Sequence, residues 1–416
     1  MEHHDPKRIA ELVRNHLASH ETPLVFLFGA GTSASINIAP TPATGIAPIY
    51  MPLIPAVDEL TKRCQKAVEN SSAAFPPAWT KIVEECKKRS SRPNIEEILS
   101  RVRMKLESIS DGDSPYGLPL DDLVKFEEQI RKSIVAEVAP TEKNIPKQVP
   151  HDLFATWLKQ ASRVVPVEIY TTNYDVLFER SMETARVPYF DGFSGSYESF
   201  FCGESLESEN LGLIPSWTRL WKIHGSVNWR MCECAGVTRL TRGHIDAKGE
   251  LILPSHRKYD ESRKQPYRAI LDRFGRTLAR PGALLVINGY SFADQHINAS
   301  IMSVLGNHPK SHAIAMQYKS LEPSDIAYKI ALDSPNMMAL GPNGAVIKGR
   351  WGTWELARPV DHKSHTFMDI FFDSDATPDL NVPAVTGMMR LGDFTWFCRF
   401  LASMAQNSLA RTRIST

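Results

Sequence analysis

What the chain lacks narrows its class first. It has no dense cysteine framework: Cys64, Cys86, Cys202, Cys232, Cys234 and Cys398 are scattered over 416 residues with a single Cys-x-Cys, unlike a disulfide-stapled secreted domain. It has no apolar run near the ~18 residues that cross a bilayer, and its opening stretch, MEHHDPKRIAELVRNHLASH, has no apolar core of the signal-peptide kind. It has no excess of either charge. Lys plus Arg total 48 against 47 for Asp plus Glu, so neither a sequence-independent grip on nucleic acid nor attachment to an anionic membrane is expected. Internal repeats and low-complexity tracts are missing too. These absences leave a globular chain, expected in a reducing cytoplasm and long enough to hold more than one module.

What is present is an alternation of short apolar runs and amphipathic stretches. After a helical pattern near residues 7–20 comes TPLVFLF, a continuous apolar run ending in glycine, as a buried parallel strand reads. VVPVEIY, TRLWKIH, ALLVING and HAIAMQY are further strands, with DVLFERSMETA, PYRAILDRFGRTLAR and DQHINASIMSVL as helices. Strands and helices in rotation predict an α/β fold with a mainly parallel sheet. Residues 53–140 break the rotation and read as helices alone, an insertion; within it Asn94 is placed as an N-cap, Glu97 completes a capping-box pattern, and Ile95, Ile98, Leu99 and Val102 form an apolar stripe. APTEKNIPKQVP reads as a linker. NMMALGPNGAVIKGRWGTWEL is expected to be a Gly-turned hairpin, and the aromatics of DFTWFCRFLASMAQ to be a helix packed in the core.

Four stretches at strand ends carry polar residues that need an explanation. FGAGTS sets Gly29, Gly31 and Ala34 in a G-x-G-x-x-A spacing directly after a strand, which serves either as a tight strand-to-helix turn or as a pyrophosphate cradle. The acidic residue of a dinucleotide dehydrogenase is missing about 20 positions later. TTNYD projects Asn173 and Asp175 where a buried strand stops, either to cap the next helix or to line a site. IHGS places His224 at a strand's C-terminal edge, the edge where α/β sheets bind ligands. INGYSFADQHIN ends a strand in a Gly-Tyr-Ser turn and sets Asp294 to cap the helix that follows.

In their order and wording these four stretches resemble the NAD-binding core of the sirtuin superfamily, and specifically its bacterial branch associated with anti-phage defence. The resemblance covers roughly residues 22–310. It implies a Rossmann-like parallel sheet carrying a smaller inserted module, with residues 1–310 as the NAD-binding catalytic unit and 311–416 as an extension that completes the fold or mediates assembly. It implies that Gly29, Ala30, Gly31, Thr32 and Ser33 cradle the NAD phosphates and that Asn173 and Asp175, with Thr172 beside them, hold the nicotinamide ribose. His224 is then the base, and Gly289, Ser291 and Asp294 meet the adenosine half. Thr172 stands where deacylating sirtuins carry Gln, and the loop after GAGTS has no Asp-Phe-Arg, which argues against lysine deacylation.

Only Cys232-x-Cys234 follows the His-Gly pair, too few thiolates for a closed zinc site, so no zinc is expected. The activity implied is an NAD glycohydrolase that releases nicotinamide and ADP-ribose and acts in defence by NAD depletion, with Asn173, His224 and Asp175 as its catalytic group. A deacylase or ADP-ribosyl transferase on the same site, or a non-enzymatic nucleotide sensor, are the alternatives. The resemblance also implies a homo-oligomer with a HerA-like hexameric ATPase as partner, or a short Argonaute in its place.

Overall fold

A computed structural model describes residues 2–40, 49–88, 93–110, 112–161, 163–207, 217–234, 236–245, 266–358, 367–374 and 385–412. The chain begins with β1 (His3–His4), α1 (Pro6–Ala18), β2 (Leu24–Phe28) and the one-turn α2 (Ala30–Ala34). Four helices follow: α3 (Val57–Glu69), α4 (Phe75–Lys87), α5 (Ile95–Ser108) and α6 (Leu120–Val138). Then come α7 (Pro150–Gln160), β3 (Val167–Thr171), α8 (Leu177–Ala185), β4 (Tyr189–Phe190), β5 (Phe193–Ser194), β6 (Phe200–Phe201), α9 (Glu204–Glu207), β7 (Thr218–Lys222), β8 (Trp229–Cys234) and β9 (Val237–Arg242). The remainder is α10 (Tyr267–Leu278), β10 (Leu284–Asn288), α11 (Gln295–Asn307), β11 (His312–Met316), α12 (Ile326–Asp333), β12 (Met337–Gly341), β13 (Gly344–Ile347), β14 (Arg350–Trp354), α13 (Met368–Phe371), β15 (Phe372–Ser374), β16 (Gly387–Met389) and α14 (Phe394–Thr412).

The sheet has ten strands in the order β1-β14-β13-β12-β11-β10-β2-β3-β7-β4. From β12 to β4 every neighbouring pair runs parallel. The expected hairpin is a double one, since β12, β13 and β14 pair antiparallel in succession. This is the α/β, mainly parallel sheet that the sequence pattern predicts and the Rossmann-like one that the resemblance implies. Its central strands are apolar on both faces because both are covered. In β2, Leu24, Phe26 and Phe28 join a core with Val13, Phe154, Trp157, Phe178 and Phe397, whereas Val25 and Leu27 join one with Trp221, Phe274, Ile297 and Ile330 on the other side.

The chain steps from β2 to β3 on one side and returns to β10 on the other, so β2 and β10 flank a topological switch point, where strand-end turns part and leave room for a ligand. The helices between β2 and β3 have a core of their own, including Leu60, Cys64, Trp79, Ile98, Leu99, Val102, Phe126 and Ile130. Asn94 does cap α5, accepting from the N–H groups of Glu96 and Glu97 at 2.9 and 3.0 Å. Tyr174, Leu177 and Val227, all just beyond the ends of β3 and β7, belong to that helical core. The insertion therefore sits over the C-terminal edge of the sheet. A second small sheet, β5-β6-β9-β8, has no counterpart in the sequence reading.

Candidate active site

The glycines after β2 are explained by another glycine. Gly31 N donates to Gly289 O at 2.9 Å, and Gly29 N to Asn288 O at 3.2 Å. A Cβ on Gly29 would lie 2.6 Å from Gly289 O, and one on Gly31 would lie 2.6 Å from Gly289 Cα. Gly289 itself has φ +67 and would set a Cβ 2.6 Å from Thr32 N. The turns on the two sides of the switch point thus interlock backbone to backbone, which side chains would forbid. This close approach carries Thr32 and Ser33, both buried, to the end of β3.

There they meet the Asn-Tyr-Asp stretch. Asn173 Nδ2 donates to Thr32 Oγ1 at 3.0 Å and to Ser33 Oγ at 2.9 Å, and Ser33 Oγ donates to Asp175 Oδ2 at 2.7 Å. Asp175 Oδ1 accepts from Leu177 N at 3.1 Å, so the carboxylate also closes the first turn of α8. Asp175 thus turns the chain into α8 from one position before the N-cap, Val176, which itself has no side-chain cap. Lys222 at the end of β7 fixes the turn from below, donating to Asp175 O and, at 3.1 Å, to Glu179 Oε1. Burial pushes the Glu179 carboxyl up, against the opposing pull of Lys222. Asn173 Oδ1, by contrast, is buried with no hydrogen-bond partner among the described residues.

His224 lies in the turn after β7, 5% exposed. Its Nε2 is 3.1 Å from Asp294 Oδ2, and its Nδ1 is 3.9 Å from Glu96 Oε1. Nδ1 is likewise buried without a hydrogen-bond partner among the described residues. Burial disfavours the imidazolium, but the hydrogen bond with Asp294 and the charges of Glu96 and Asp294 outweigh it and raise the pKa above the ordinary histidine value. Burial also acts against ionised Asp294, yet His224 and two backbone N–H groups hold its carboxyl below the usual range. Asp294 caps α11 as its position predicts, Oδ1 accepting from His296 N at 2.8 Å and Ile297 N at 3.2 Å.

Asn173, Asp175, Thr32, Ser33, His224 and Asp294 are thus gathered at the ends of β2, β3, β7 and β10. Ala30 and Thr172 are half-buried beside them, and Ser291 is exposed in the turn after β10. Sequence reasoning missed Glu96, which accepts from Tyr174 OH at 2.7 Å, and Tyr267, whose OH is 3.4 Å from Asp294 Oδ2. Glu96 had no signal, being one acidic residue in the first turn of an amphipathic helix. Among the described residues no cluster of three or more His, Cys, Asp or Glu side chains could hold a metal ion, and no helix is long and apolar enough to cross a membrane.

Compared with known families, residues 167–334 match the one described as a SIR2-like domain. SIR2-like domains bind NAD. The match supports a sirtuin-like relationship and an NAD-related activity; it spans the stretch from β3 to the end of α12, with Asn173, Asp175, His224, Gly289 and Asp294 inside it. The Gly29–Ser33 turn and the helical insertion lie outside it and join the site through the contacts above. No curated protein matches the chain.

Proposed function

We propose that the protein hydrolyses NAD to nicotinamide and ADP-ribose at this strand edge. The observation that supports the reading is that Asn173 and His224, just past the ends of the neighbouring strands β3 and β7, each keep a buried polar atom without a hydrogen-bond partner among the described residues. Buried polar atoms are normally satisfied, so atoms left open past two adjacent strands fit a ligand rich in hydroxyl and amide groups, such as the nicotinamide riboside half of NAD.

In the reaction the nicotinamide–ribose bond breaks with its electron pair passing to the nicotinamide nitrogen, and a water oxygen bonds to the sugar carbon. Asn173, fixed through Nδ2 by Thr32 and Ser33, presents Oδ1 to orient the ribose or the water. His224 accepts the proton the water gives up, help that contributes typically 10²–10⁴-fold. Asp175 supplies negative charge a residue pair away, where positive charge grows on the sugar. The Gly29–Ser33 turn and the Gly289–Ser291 turn border the rest of the nucleotide, and we take residues 1–310 as the catalytic unit, with 311–416 extending the sheet.

The test is product analysis. The purified protein should release nicotinamide and free ADP-ribose from NAD, with His224→Ala and Asn173→Ala both inactive; full turnover by both variants would sink the assignment. ADP-ribose recovered on an acceptor would point instead to a transferase or deacylase, and binding without turnover to a nucleotide sensor. The motif resemblance extends the proposal to a cytoplasmic, homo-oligomeric defence enzyme partnered by a HerA-like hexameric ATPase, with a short Argonaute as the other partner. Light scattering during size-exclusion chromatography, and co-purification with each partner, check those points.

A further inference from the structure

We propose that Asp294 is the positioning residue of His224: it holds Nε2 so that Nδ1 is the working nitrogen, presented open between the ring and Glu96 of the helical insertion. The proposal rests on the NAD-cleaving reading for its kinetic consequence, but not for its geometry. A carboxylate offers about four acceptor positions, and those of Asp294 are filled: Oδ1 by His296 N and Ile297 N, Oδ2 by His224 Nε2 and, more distantly, Tyr267 OH. Little capacity is left for the adenosine contact that the motif implies. The same bonds make Asp294 rigid, because its side chain is tied to the first turn of α11.

A carboxylate on Nε2 fixes the tautomer. In the neutral ring the proton stays on Nε2, where Asp294 accepts it, and the lone pair falls on Nδ1. Nδ1 has no hydrogen-bond partner among the described residues, and 3.9 Å to Glu96 Oε1 is too long for a direct one. A water or sugar hydroxyl placed off that line reaches both atoms, and Glu96 is held ready for it by the 2.7 Å bond from Tyr174 OH. The ionisable groups facing the ring are Asp294 at the start of α11, Glu96 on α5, Tyr174 after β3 and Tyr267 on α10, with ring centroids of the two tyrosines at 6.4 and 6.1 Å. The insertion thereby gives the site a carboxylate that the sheet itself does not.

The decisive experiment is a histidine NMR titration without NAD, with the His224 signal identified by its loss in His224→Gln. In Asp294→Asn the cap survives, because Asn caps helices as well as Asp, and the His224 midpoint should drop by about one pH unit or more. Turnover of NAD should fall about a hundredfold or more with KM nearly unchanged, as when a base loses the partner that sets its tautomer. Asp294→Ser, which keeps a capping oxygen without the charge, gives the same readings should the amide variant fold poorly. An unmoved midpoint overturns the proposal, and so does a raised KM at unchanged kcat, which would return Asp294 to nucleotide binding. A shifted midpoint in a protein that does not cleave NAD upholds the pairing and defeats only the NAD-cleaving reading.

Discussion

Two buried polar clusters lie in and just beyond β3, and they differ in how completely they are bonded. Within the strand, Glu168 is fully satisfied: Arg273 donates to both of its oxygens at 3.0 and 3.1 Å, Trp221 Nε1 adds a bond at 2.8 Å and Tyr170 OH one at 2.9 Å. Just past its C-terminal end, Asn173 Oδ1 and, across the turn, His224 Nδ1 have no hydrogen-bond partner among the described residues. Both are buried; only the first is complete. The closed cluster ties α10 to the sheet, and through Arg273 and Arg276, which both donate to Leu206 O, it ties down α9 as well. The open one leaves valences for something else. An unfilled hydrogen bond in the interior is costly, and the proposed function assigns the open cluster to a ligand and the closed one to the fold.

Four measurements sharpen or break this contrast. In the open cluster, His224→Ala should lower NAD turnover by about 10²–10⁴-fold, and the loss should exceed any effect on the denaturation midpoint. In the closed cluster, Arg273→Met should do the reverse, costing about 3–5 kcal/mol of stability by stranding the Glu168 charge, as read by denaturant unfolding; equal effects on stability in the two variants would erase the distinction.

The third measurement uses His151, whose two ring nitrogens are also unpartnered among the described residues but which is packed against Phe178 and Phe394 in the aromatic core. Complete burial pushes its pKa down to about 3. A depressed value means stability that is whole above the unfolded pKa of about 6.5 and is lost as pH falls, about 2 kcal/mol by pH 5. His151→Leu should flatten that slope, and an unchanged acid profile would count against it. Open valences walled in by an aromatic core thus predict acid sensitivity, in contrast to those past the ends of β3 and β7 that the proposed function assigns to a ligand. The smallest effect belongs to Tyr174→Phe, which removes the bond to Glu96 and should cost about 1 kcal/mol of stability.

His224 has the opposite sign. Its raised pKa means that the stabilisation from its carboxylates is whole below the unfolded value and fades as pH rises through the folded one. A base must be neutral to work, so NAD turnover should climb over the same interval in which that stabilisation is lost. A rate that falls as pH rises past 7 would contradict the role of His224 as base.

The strand ends were legible in the sequence because LVFLF and LLVIN are apolar runs that lead into glycine turns, and VEIYT and TRLWK, though they carry Glu168, Arg219 and Lys222, give way to the polar TTNYD and IHGS stretches. Caps were legible for a similar reason: Asn94 and Asp294 act on neighbours two and three residues away. What stayed hidden depends on distant partners. Nothing local marks Glu96 as the neighbour of Tyr174 and His224, or Gly289 as the reason for Gly29 and Gly31. The strands β5 and β6, two residues each, are too short to show a period.

The interlocked glycines also constrain when the strand edge can be completed during synthesis. Gly31 leaves the ribosome early and Gly289 late, so the two turns can pack against each other only once both are made. A nascent chain holding β2, the helical insertion and even His224 still lacks β10, Gly289 and Asp294. If the site consumes NAD, synthesis itself acts as a safety catch: more than half of the polypeptide precedes β10, and only with that strand do Gly289 and Asp294 follow.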